Sequence, residues 1–317
     1  MISIPIKNIE SAKAKFKTDI DKFVSNGKAN LVATRNNKRR RWNNFEKGYL
    51  TKLINDFEKI VLAKPSELET FKTNFQLPNR TNKQKQKRFK EAVLKDLGYT
   101  ILRSEFYPKY FQSIGIKSCV YCNAQLTVAV DTEDLKKKKI TKAKFQVDHY
   151  IPKSEYPCFS ISLFNLYPVC ASCNNSKSTK KINFLLYSET NHYRKSEFEF
   201  VLDSASKATY LLNRNSTDIQ IKFKQPKTTI GFDDFNKTFD IEGVYDTQKD
   251  LVEELILKAE IYTKSYRKSL LKDFKKLLKN EAILNRLIIG NYTEKYEIHK
   301  RPMAKFTQDI AEQLGLI

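Results

Sequence analysis

CVYC at 119–122, VDHYIPKS at 147–154 and NLYPVCASCNNSK at 165–177 hold four of the chain's five cysteines and one of its three histidines. Cys119/Cys122 and Cys170/Cys173 are two CxxC pairs separated by roughly 47 residues. That pattern suits a tetrahedral four-thiolate zinc site, although the separation is wider than in compact zinc modules. Such a site has no open coordination position, so it would hold a fold together and leave catalysis to other groups. The alternative is four ordinary buried thiols, which the repeated spacing disfavours. Cys158 is left over and reads as a small buried hydrophobe.

Polar residues between the pairs supply the remaining chemistry. FQVDH reads as a strand whose last two residues, Asp148 and His149, point to opposite sides. A strand end of this kind offers a carboxylate to a cation and an imidazole to a water molecule. Asn174 follows Cys173 directly and falls in the first turn of a helix, with Lys177 three residues on and so on the same face. Helix N-termini favour phosphate.

The order DH-x-x-P-x-S, then N-L-x-x-x-C-x-x-C-N-x-x-K, resembles the core of the zinc-stapled HNH nucleases. The resemblance implies an α+β protein with a ββα-metal core, a β-hairpin followed by a helix, gripping one divalent cation. It makes Asp148 a metal ligand, His149 the general base toward the attacking water, and Asn165 the asparagine that braces the loop. Asn174 becomes the second metal ligand and Lys177 a phosphate contact, with Lys153 a further basic contact to substrate. Two features depart from the family pattern. A lysine-rich insertion lies between the expected hairpin strands, AQLTVAV and KFQVDH, and EYPCFSISLF follows Ser154 where many relatives have glycines.

The chemistry needs these residue types whatever the family. A positioned base contributes only about 10²- to 10⁴-fold, so a cation must stabilise charge at the phosphorus and the leaving oxygen. One carboxylate and one amide oxygen are hard ligands, suited to Mg²⁺ or Mn²⁺. A base must be neutral, and positive neighbours in a basic chain lower an imidazole pKa, the useful direction.

Composition sets the partner. The 317 residues carry 58 Lys+Arg against 36 Asp+Glu, a formal charge of +22, which calls for a polyanion. Coding bias in an AT-rich genome explains many lysines but not the shortage of acids. No apolar run reaches the roughly 20 residues needed to span a bilayer, and MISIPIKNIESAK lacks a signal-peptide core. Paired thiols at zinc spacing with an odd cysteine count fit a cytoplasmic protein.

Three regions follow. Residues 1–100 read as a basic helical region, with helices expected at 8–26, closed by Gly27, at 43–62, and around Phe89, Val93 and Leu97. Between the first two, the Lys38–Arg41 run followed by Trp42 either grips a phosphate backbone while the indole stacks on a base, or is a solvated loop leading into a core tryptophan. Residues 101–185 are the nuclease core, with the Lys136–Lys139 run near a hairpin tip. Residues 186–317 read as short strands at EFEFVL, DIQIKFK and KTFDIEGVY, then a long amphipathic helix over about 247–279 and two shorter ones ending at Gly290 and before Gly315. His192 and His299 read as surface or core histidines.

The expectation is therefore a metal-dependent HNH endonuclease with structural Zn²⁺ and catalytic Mg²⁺ or Mn²⁺, acting on nucleic acid and foremost on DNA. CxYCN and KSxYPxFSxSxxNLYPVCxSCNxxK further resemble the HNH nuclease components of Septu-type bacterial anti-phage systems, which implies a controlling P-loop ATPase partner. Two other readings remain open: a zinc-stapled binding module without cleavage, for which Asp148, His149 and Asn174 would be superfluous, and an RNA-cutting toxin with the same catalytic residues.

Overall fold

A computed structural model describes residues 1–78, 82–133, 137 and 139–317. The chain is α+β: helices dominate, and each sheet among the described residues has two strands. No helix among them is long and apolar enough to cross a membrane. One continuous apolar core runs from Met1 to Leu316 and takes in Cys158, which is fully buried.

The apolar periodicity of the first region yields two long helices, Lys17–Asn36 and Asn44–Leu62, and the helix expected from residue 8 is interrupted at Phe16, after a separate helix Ile6–Lys15. The second starts on a capping box, in which Glu46 N donates to Asn43 Oδ1 (2.8 Å) and Asn43 N donates to Glu46 Oε2 (3.0 Å). The first does not stop at Gly27 but continues to Asn36. A Cβ at Gly27 would lie 2.7 Å from Phe57 Cε1, so this glycine serves close helix packing rather than termination. Phe57 is almost fully buried there, worth roughly 2–3 kcal/mol of apolar transfer.

After a 3₁₀ turn at Lys38–Arg40 and a left-handed Arg41 (φ 54°), Trp42 turns inward. Its Nε1–H donates to Thr34 O (3.1 Å) and its ring meets Phe89 edge-on at 5.3 Å. Trp42 is thus a core residue, not a stacking platform for a base. Helix Lys83–Asp96 buries Phe89, Ala92 and Val93 and leaves Lys83, Lys85, Lys87 and Arg88 exposed. Of the polar segment that precedes it, residues 79–81 lie outside the described residues. Two short helices, Tyr99–Glu105 and Tyr107–Ile114, then carry Tyr99, Tyr107, Tyr110 and Phe111 into the core.

The strand pairing differs from expectation. Ala129–Glu133 pairs antiparallel with Lys139–Ala143, whereas Gln146–His149 pairs antiparallel with Leu166–Val169, Asp148 opposite Tyr167 and His149 opposite Leu166. A bend at residues 144 and 145 separates the two sheets. Burial explains the split. No residue of the first pair is buried, while Leu166, Tyr167, Pro168 and Val169 all are, and they require a partner strand with its own buried positions at 147–149. Helix Ala171–Lys177 follows the second strand directly, giving a ββα order. Of the lysine run 136–139, Lys139 opens the second strand of the separate hairpin and is exposed, as is Lys137, and Lys136 and Lys138 lie outside the described residues.

In the last region Glu199–Leu202 pairs with Ile221–Lys224, as the alternation of apolar and polar residues requires. KTFDIEGVY is not a strand but the helices Phe235–Phe239 and Ile241–Asp246. Asp234 caps the first by accepting from Lys237 N (2.8 Å), and buried Phe235/Phe239 and Ile241/Tyr245 repeat every four residues. The expected long helix is two, Lys249–Ile261 and Lys264–Asp273, because Thr263 caps a new helix by accepting from Tyr266 N (3.3 Å). Gln248 sits at the start of the first, with no side-chain cap hydrogen bond. Helices Glu281–Ile289 and Ala304–Gln313 end at Gly290 and just before Gly315.

Candidate active site and four-cysteine centre

Cys119 and Cys122 flank a tight loop, and Cys170 and Cys173 open helix Ala171–Lys177, Cys170 as its cap. All four are buried, and their Sγ atoms lie within 4.8 Å of one another, Cys122 and Cys170 being 3.9 Å apart. A Zn–S length of about 2.3 Å places tetrahedral thiolates roughly 3.8 Å from each other, so the cluster could bind a metal such as zinc. Backbone N–H groups already point at the sulfurs: Cys170 N at Cys119 Sγ (3.3 Å), Ala124 N at Cys122 Sγ (3.4 Å) and Cys173 N at Cys170 Sγ (3.5 Å). Hydrogen bonds among the four sulfurs divide them: Cys170 and Cys122 are pulled below the ordinary thiol value, chiefly by Cys119, whereas Cys119 is pushed up, by burial first, and Cys173 is pushed up by its bond to Cys119.

Asp148 and His149 end the buried strand and face different partners. The Asp148 carboxylate accepts from the Tyr121 hydroxyl (2.7 Å) and from Lys177 Nζ (3.1 and 3.2 Å). Burial, the largest cause, raises the Asp148 carboxyl above its usual range, against the pull of Lys177 and Tyr121. His149 Nε2 lies 3.0 Å from Ser160 O. A carbonyl can only accept, so Nε2 carries the proton and Nδ1 carries the lone pair. Burial pushes His149 down to about 3, and the charges of Lys153 and Lys177 push in the same direction, so the ring is neutral at pH 7. Its face is covered by Tyr99, ring centroids 5.0 Å apart.

Asn165 is fully buried and ties the intervening loop: its Oδ1 accepts from Ile151 N (2.7 Å), and its Nδ2 donates to Ile151 O (3.1 Å) and Phe159 O (3.0 Å). Asn174 is half-buried; its Nδ2 donates to Gln146 Oε1 (2.6 Å), and its Oδ1 has no hydrogen-bond partner among the described residues.

Asp148, His149, Asn174 and Lys153 line one cleft of about 400 Å³, together with Val147, Pro152, Ser154, Asn175, Ser178 and Thr179. Lys153 extends over the Tyr99 ring, Nζ 4.1 Å from its centre, and burial followed by the nearby Arg103 lowers its pKa. Lys177 does not line that cleft. It is 0% exposed and bound to Asp148 and to His149 O (3.0 Å), so the phosphate contact expected of it is corrected to a buried counter-charge. Helix geometry is the reason: three residues beyond Asn174, at the end of a seven-residue helix, the side chain points back toward the strand.

Sequence reasoning missed Tyr121, Gln146, Tyr99 and the Ser160 carbonyl. Tyr121 had a signal, since a residue inside a CxxC loop is fixed relative to the cluster. Ser160 had none, because any residue supplies a carbonyl. Comparison with protein families, with curated proteins and with solved structures finds no match to this chain.

Proposed function

We propose that the chain is a metal-dependent endonuclease with an HNH-type core that hydrolyses phosphodiester bonds in DNA. The observation that carries this reading is the neutral His149 with its lone pair on Nδ1, set beside the Asp148 carboxylate in a cleft that also holds the free Oδ1 of Asn174. His149 Nδ1 takes the proton of the attacking water, and the bond to Ser160 O keeps the ring in the accepting tautomer. Asp148 and Asn174 Oδ1 are the hard oxygen ligands that would hold a divalent cation. Mg²⁺ or Mn²⁺ held there supplies the charge stabilisation that a developing phosphorane and leaving alkoxide need. Tyr121 and Lys177 orient the carboxylate from behind, and Asn165 keeps the 150–165 loop in place. The four cysteines are assigned to structural zinc. The charge of +22 supports a polyanionic substrate, and the Septu-type resemblance extends the reading to phage defence with an ATPase as controlling partner.

The test incubates zinc-loaded protein with supercoiled plasmid, and separately with RNA, in the presence of Mg²⁺, Mn²⁺ or no divalent cation, with His149→Ala beside the wild type. Cutting of plasmid that requires the cation and falls by at least about 10²-fold in His149→Ala is expected. Undiminished cleavage by His149→Ala would sink the assignment. Salt-sensitive binding without cleavage by the wild type would favour the binding-module reading, and cutting confined to RNA would replace DNA as substrate.

A further inference from the structure

A second hollow, of about 420 Å³, adjoins the Asp148–His149 cleft. Its lining includes Lys95, Tyr99, Ile101, Arg103 and Lys153, and Lys153 also lines the cleft itself. The wall between them is the Lys153 ammonium resting on Tyr99, whose ring covers His149. None of the core's ββα residues other than Lys153 contributes; the rest comes from helices Lys83–Asp96 and Tyr99–Glu105 and the turn between them.

The charges here lack internal partners. Among the described residues Lys95, Arg103 and Lys153 make no ion pair, and the one acid in the lining, Glu91, lies 4.0 Å from Lys87 instead. Three cations that make no ion pair, set against the single carboxylate of Glu91 in the lining, repel one another and leave a site for an anion. The 61%-exposed Ile101 supplies apolar surface beside them, while Tyr99 is buried beneath Lys153. The hollow is also held in register with the cleft, since Lys90 Nζ donates to Ser154 O (2.8 Å), tying the basic helix to the loop that bears Lys153.

From this we infer that the hollow seats the DNA backbone flanking the scissile phosphate. Lys95, Arg103 and Lys153 meet phosphate oxygens, Ile101 packs on deoxyribose, and exposed Lys83, Lys85, Lys87 and Arg88 continue the basic surface along the helix. The inference rests on the nuclease reading of the cleft.

Binding of a short labelled DNA duplex to zinc-loaded His149→Ala protein, measured by fluorescence anisotropy across a salt series, tests it without cleavage. Lys95→Ala with Arg103→Ala should flatten the slope of log K against log salt by about 0.9 per lost contact, or about an eightfold loss of affinity per contact at 0.1 M salt. Both residues are exposed, so the fold survives, and an unchanged melting temperature verifies this. Lys264→Ala with Lys268→Ala removes the same charge from exposed positions of helix Lys264–Asp273, which lines neither the hollow nor the cleft, and should leave the slope as it was. An unchanged slope in the Lys95/Arg103 variant, or an equal change in the control, overturns the inference, and a loss seen on RNA but not on DNA overturns its choice of partner. Wild-type plasmid cutting is read separately. Cutting with an unchanged slope sinks this surface alone; absence of cutting sinks the cleft reading, and with it a subsite beside a scissile bond.

Discussion

Lys177→Met removes one buried ammonium and keeps most of the side-chain volume. In the wild type that ammonium touches both oxygens of Asp148 at 3.1 and 3.2 Å and His149 O at 3.0 Å, with no exposure to solvent. Taking away one partner of a buried pair leaves the other charge uncompensated, at a cost of about 3–5 kcal/mol. For a chain of this size each kcal/mol moves the melting temperature by about 2 °C, so unfolding should come on the order of 6–10 °C earlier. Adding Asp148→Asn should restore most of that loss, because a neutral amide still accepts from Tyr121 and needs no counter-charge; the coupling in such a cycle runs to about 3 kcal/mol. Circular dichroism melts of zinc-loaded protein at neutral pH measure all four corners. A Lys177→Met protein that melts with the wild type but binds DNA more weakly would refute the argument and return Lys177 to the phosphate.

Further outcomes follow from other parts of the molecule. Elemental analysis should find one zinc per chain, and Cys122→Ser should lose the metal and the fold together, since structural zinc contributes on the order of 10 kcal/mol; a variant that is metal-free yet melts normally would make the cluster four plain thiols. Gly27→Ala gains about 1 kcal/mol of helix propensity but drives a Cβ to 2.7 Å from Phe57 Cε1, where overpacking costs about 1–3 kcal/mol. Its urea midpoint should therefore fall, and should recover with Phe57→Leu; a rise in the single variant would contradict the close approach. His299 is buried, donates through Nε2 to Ile2 O (2.7 Å) and is held down to about 4 by desolvation. As pH drops below about 6.5 the unfolded chain takes up this proton before the folded one, so stability present above pH 6.5 is lost down to about pH 4, roughly 2 kcal/mol of it by pH 5. His299→Gln should flatten that part of the stability profile, and an unaltered profile would exclude His299 as its source.

Much of the fold was legible where one local pattern decides the outcome. Helix Asn44–Leu62 was announced by Phe57, Ile60 and Val61 at helical spacing, and the cysteine pairs by their spacing alone. Misreadings fell where tertiary burial overrides local signal. Gly27 carries a stop signal in sequence, yet the need to admit the Phe57 ring keeps it inside a helix. KFQVDH alternates as one strand, yet the buried run at 166–169 claims only its last four residues. The helix expected over 247–279 broke at Thr263, whose hydroxyl satisfies a backbone donor as readily as another helical turn would, and beyond the break Tyr266, Phe274 and Leu277 lie exposed rather than forming a buried stripe.

At the site the same distinction separates the cleft from its support. The residues to which the nuclease proposal assigns chemistry, Asp148, His149 and Asn174, stand out in the sequence because few residue types suit such roles. What orients them is spread through the chain and uses groups common to many residues: the Tyr121 hydroxyl, the Ser160 carbonyl, the Lys177 ammonium. Two of these three are nevertheless anchored by the cysteines. Tyr121 lies between Cys119 and Cys122, and Lys177 ends the helix that Cys170 caps and Cys173 occupies. Both donate to the same carboxylate, one from each half of the cluster. Drawing the four sulfurs together therefore also sets the distance between the two donors that hold Asp148. Two CxxC pairs 47 residues apart, wide for a zinc module, are what is required to brace one carboxylate from both sides, since the strand that bears it has to pass between them.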